Sequence, residues 1–131
     1  MNRYDFFSAQ LRFVANRTDR ESDDVACMMD QLLSIVDVLE QGHDNFFVTA
    51  PELKITARAL AGVAGFLQQH ILPEAIAAQN TTGEKQLRWT IESCMTMMAQ
   101  LMSHAELTDG ADGLRITVPA VDGQPVNADS I

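Results

Sequence analysis

Between residues 53 and 71 the chain places apolar side chains on two opposite sides of what the spacing predicts to be a single helix. Leu53, Ala57, Leu60, Ala64, Leu67 and Ile71 recur at three- and four-residue intervals and form one stripe. Ile55, Ala59, Gly62 and Phe66 form a second, almost diametrically opposed when each residue advances about 100°. Only Lys54, Arg58, Gln68 and Gln69 supply a polar edge. A helix with so little polar surface has to be covered on both sides, so the rest of the fold must build around it. The second stripe is small at its middle, Ala59 and Gly62, which lets another backbone approach closely. It is therefore expected to meet a second copy in a homodimer, with burial under the first helix and the tail as the competing expectation.

Three helix starts are expected from one signature. Thr18-Asp-Arg-Glu21, Thr49-Ala-Pro-Glu52 and Thr81-Thr-Gly-Glu84 each match a capping box, in which the Thr and Glu side chains satisfy each other's orphan amides. The segment after Thr18 is expected to be helical to Gln41 and to stop at Gly42. Val25, Met28, Met29, Leu32, Ile35, Val36 and Leu39 form its core stripe, while Asp23, Asp30 and Asp37 fall seven apart on the other side. Pro73 cannot donate to Gln69, so the central helix is expected to kink or restart there. A last long helix over residues 82–105 places Leu87, Ile91, Cys94, Met98, Leu101 and Ala105 on one side, widened by Met95 and Met102. Residues 3–16 read as a further helix with Tyr4, Phe7, Leu11 and Val14 on one side, docked on the bundle or on a partner subunit.

After Ala105 the texture changes. Leu114, Ile116 and Val118 alternate as in a short strand stopped by Pro119, with Asp109-Gly110, Asp112-Gly113 and Asp122-Gly123 as turn dipeptides. The expected fold is all-α: a four-helix bundle-like domain over residues 1–105 with a short extended or β-ribbon C-terminal segment over 106–131.

Composition bears mainly on partners. The net charge is −9, and it is local: seven carboxylates and no Lys or Arg lie between Glu21 and Asp44, while residues 1–20 sum to +2. Such a surface repels nucleic acid and anionic lipid, so neither direct nucleic-acid binding nor membrane association is expected. No stretch approaches the roughly 18 apolar residues a membrane span needs, and the N-terminus lacks the features of a signal peptide. The expected setting is the cytoplasm of a bacterium, or of one infected by the phage that encodes it.

Enzymatic and metal chemistry find little support. His43, His70, His104, Cys27 and Cys94 show no ligand spacing, and no Gly-rich loop or G-x-S-x-G is present. Cys94 reads as a small core residue, and Cys27, nearly opposite its helix's core stripe, as either exposed or in contact with another subunit. No catalytic residue, metal or cofactor is expected.

The reading left is a non-enzymatic regulatory or adaptor protein that binds and inhibits or escorts a protein partner, as an antiactivator, chaperone, antitoxin or phage anti-defence protein does. The ridge Asp23/Asp30/Asp37 would meet a basic surface on that partner. Trp89, projecting away from the Leu87/Ile91/Cys94 stripe, or the methionines Met95 and Met102 would supply the apolar anchor; the competing expectations are that the tail or the N-terminal helix covers Trp89 and that the methionines fill the core. Two alternatives stand beside it. One is a small-ligand binder with an apolar pocket lined by Met28, Met95 and Phe66; the other is a phage or structural assembly subunit.

Overall fold

The chain is described by a computed structural model over residues 4–108 and 112–119. The fold is all-α and bundle-like, with one short two-stranded sheet. Helix α1 is Asp5–Arg17, α2 is Asp23–Glu40, α3 is Leu53–Phe66, α4 is Leu72–Ala77 and α5 is Thr81–Leu107. Strand β1 is Asn45–Val48 and β2 is Leu114–Thr117. Helix α3 is the hub: α2 and α5 both pack on it rather than on each other, and α1 closes over α2.

Helix starts follow the local hydrogen-bonding chemistry, at positions partly different from those expected. At Thr49 the capping box forms, with the Thr49 amide donating to Glu52 Oε1 at 3.3 Å. Thr18 caps nothing: its hydroxyl donates back to the Val14 carbonyl at 2.7 Å, and α2 begins later, where Ser22 Oγ accepts the Val25 amide. At α5 the cap is Asn80, whose Oδ1 accepts the Gly83 amide, so Thr81 lies inside the helix. Ser22 and Asn80 are both short polar side chains able to reach an amide three residues on.

The end of α2 matches expectation. Gly42 adopts φ +92°, and the Gly42 and His43 amides donate to Leu39 and Val38. This paired closure requires a left-handed residue, which glycine adopts without a Cβ penalty. At Pro73 the helix neither breaks nor sharply restarts. One π-turn, Leu67–Ile71, widens the spiral before α4, so the Leu72 amide reaches back to the Leu67 carbonyl.

The core runs through the middle of this arrangement. Leu53, Ala57, Leu60, Ala64 and Leu67 of α3 are buried, as are Leu32, Ile35, Val36 and Leu39 of α2 and Phe7 and Leu11 of α1. Helix α5 buries a broader face than its spacing implies, since Trp89, Thr90, Ser93 and Met97 join Leu87, Cys94, Leu101 and Ala105. A part-buried hydrogen bond from Gln31 Nε2 to Thr56 Oγ1, 2.8 Å, links α2 to α3.

Strand β2 pairs antiparallel with β1, which precedes α3, so Phe46 lies opposite Ile116 and Val48 opposite Leu114. Phe46, Val48, Ile116 and Val118 point into the core while Phe47 and Arg115 face outward. Gly113 permits the approach, because a Cβ there would meet the Phe47 ring and come within 2.6 Å of the Val48 carbonyl. Asp112-Gly113 is a bend leading into β2; Asp109-Gly110 and Asp122-Gly123 lie outside the described residues.

Candidate protein-binding surface

Helix α2 turns one apolar face inward and leaves Asp23, Asp24, Cys27, Asp30, Ser34, Asp37 and Glu40 exposed. Seven-residue spacing holds Asp23, Asp30 and Asp37 within about 20° of one line along the helix. Asp30 accepts a hydrogen bond from Arg20 at 2.9 Å, and Glu40 pairs with Arg12 at 2.6 Å, both with well-exposed side chains. Exposed pairs of this kind contribute on the order of 0–1 kcal/mol, so they are easily exchanged for another partner. Asp23 and Asp37 make no ion pair with any described residue. The ridge is therefore continuous, solvated and largely uncompensated.

A cleft of about 550 Å³ adjoins the C-terminal half of that ridge, between α2 and the ribbon. Gln31, Ser34, Ile35 and Val38 form its helical wall; Phe46, Phe47 and Arg115 form its strand wall. Phe47 is 54 % exposed, unusual for a large aromatic, and lies under the Arg115 guanidinium at 5.9 Å. Arg115 is itself fixed by donating to Asn45 Oδ1 at 2.8 Å. Nothing in the sequence ranked Phe47 above its neighbour Phe46. Their division into outside and inside follows from strand alternation, legible only once β1 has β2 as its partner.

A second concavity, of about 500 Å³, opens where α1, α2 and α3 diverge. Met28 and Met29 line one wall, Ala59 and Gly62 the floor, and Val14 and Phe66 the other side. This is where the second stripe of α3 lies, and the chain itself covers part of it. Ala59 is buried, Ile55 and Phe66 are half-buried, and Gly62 is exposed. The apolar surplus of α3 is thus narrower than its sequence suggests, because α1 and α2 take up most of it.

Two expectations about anchors require correction. Trp89 is only 3 % exposed and cannot serve as a surface anchor. The N-terminal helix covers it: Tyr4 stacks on the indole at 6.1 Å and Phe7 tilts against it at 5.7 Å. Met95 is exposed and Met102 half-buried, but both are on α5, with α3 between them and the acidic ridge. For the same reason Met28 and Phe66 line the second concavity without Met95. Asp23, Asp30 and Asp37 are brought together as expected; Trp89, Met95 and Met102 do not join them.

Among the described residues no three His, Cys, Asp or Glu side chains gather closely enough to hold a metal ion, and no helix is long and apolar enough to cross a membrane. Neither a protein-family model, nor a curated protein, nor a solved structure matches the chain.

Proposed function

We propose that the protein is a non-catalytic regulatory or adaptor protein that holds a protein partner against the outer face of α2. The observation that carries this reading is the solvated Asp23/Asp30/Asp37 row running alongside a cleft with Phe47 exposed at its rim. Charge of one sign steers a partner bearing the other, and an aromatic at a cleft supplies the desolvated contact that charge alone does not. The partner's surface is accordingly basic, with an apolar side chain for the Ser34/Val38/Phe47 cleft. Its capture inhibits or escorts it.

Parallel affinity capture from native-host extract tests this, using the wild-type protein and an Asp30→Lys/Asp37→Lys variant. A basic protein should be retained by the first and lost by the second, and its retention should weaken as salt rises. The same set of proteins on both baits would remove the ridge from the account.

A further inference from the structure

The groove between α1, α2 and α3 carries a charge pattern opposite to that of the chain as a whole. Against a net charge of −9, the two charged residues lining it are both arginines, Arg17 and Arg58. Arg17 lies over two aromatic rings, 5.2 Å from the Phe13 centroid and 4.9 Å from that of Phe66. It makes no ion pair with any described residue. Stacking fixes its planar fork while leaving the N–H donors at the edge available for an oxyanion. Arg58 has one carboxylate in range, Asp24, at 4.0 Å with both side chains well exposed, a contact that an incoming anion readily displaces.

Beneath these cations the walls are apolar, and the volume of about 500 Å³ falls within the range of small-molecule sites, roughly 300–1,000 Å³. The floor is open as well as small: a Cβ on Gly62 would meet nothing within 4 Å. A second copy fits this groove less well, since it would bring another net charge of −9 towards the first.

We propose that this groove binds a small amphipathic anion, its apolar chain lying along Met28, Met29, Ala59 and Phe66 and its carboxylate held by Arg17 and Arg58. The proposal is independent of the reading of α2's outer face. Charge reversal at Asp37 should leave ligand binding unchanged, so either can fail alone.

Methionine methyl groups give a direct readout. The full chain, labelled at its methionine methyls, is titrated with monomeric decanoate and followed by NMR. The Met28 and Met29 signals should shift saturably at one ligand per chain, while those of Met95, exposed on α5, and Met97, in the core, stay in place. Arg17→Gln and Arg58→Gln should each weaken binding about tenfold, and 1-decanol should bind no better to the wild type than decanoate does to Arg17→Gln. Gly62→Leu, which fills the groove, should abolish the shifts; should that variant not fold, the two exposed arginine positions still decide. The proposal is overturned by an absence of saturable shifts at Met28 and Met29, or by affinity indifferent to the arginines. A solution mass of two chains that falls to one on Gly62→Glu would give the groove to a second copy, and would overturn it too.

Discussion

Tyr4 and Trp89 stack with ring centroids 6.1 Å apart and planes 24° from parallel, joining the start of α1 to the N-terminal half of the α5 core face. Tyr4 Oη also donates to the Val118 carbonyl at 3.3 Å, so the same residue ties the ribbon's end to the helices. The indole N–H, by contrast, has no hydrogen-bond partner among the described residues.

That asymmetry separates two substitutions. Trp89→Phe removes an unsatisfied donor with some volume and should cost about 1 kcal/mol, while Trp89→Ala opens a core cavity and should cost about 3–5 kcal/mol. Chemical denaturation of the two variants checks the difference, and equal costs would mean that the indole does not pack beneath α1.

The helix caps make a second comparison. Ser22→Ala and Asn80→Ala should each destabilise by about 1 kcal/mol, as should Thr49→Ala. Thr81→Ala should be near neutral, because its hydroxyl caps nothing. Melting temperatures of the four variants test the assignment.

The two cysteines should differ in reactivity. Burial alone pushes the Cys94 thiol up to about 12 from an ordinary 9.0, whereas Cys27 is exposed. An aromatic disulfide reagent at pH 8 should therefore titrate one thiol in the native protein and two in denaturant. The shift also bears on stability. The native state keeps the Cys94 proton that the unfolded state loses, so its contribution is complete below pH 9.0 and declines as the pH rises from there towards about 12. Cys94→Ala should flatten that decline in alkaline unfolding curves.

Gly62 offers a gain rather than a loss. It lies inside α3 with free space where a Cβ would go, so Gly62→Ala should stabilise by about 1 kcal/mol, raising Tm by about 4 °C. A lowered Tm would show that something approaches the backbone there closely.

The sequence made the helical fold, the Gly42 stop and the acidic row readable because each rests on local chemistry or on a period within one helix. The pairing of Asn45–Val48 with Leu114–Thr117 was not readable, since it joins segments some 70 residues apart. With it went the exposure of Phe47. Trp89 has a related ambiguity: its angle from the Leu87 stripe indicates the outside of α5, and only tertiary packing, with Tyr4 and Phe7 over the indole, decides between an exposed anchor and burial under the N-terminal helix. The second stripe of α3 is legible as apolar from its spacing, but how far α1 and α2 cover it depends on where those helices cross.

The proposed seat of a partner protein, on the outer face of α2 and in the Phe47 cleft, is open to amide hydrogen exchange of the isolated complex. Exchange should slow on binding in residues 23–40 and 45–48, and slow less in Phe47→Ala. Protection confined to α5 around Met95 and Met102, with α2 and β1 unchanged, would contradict it.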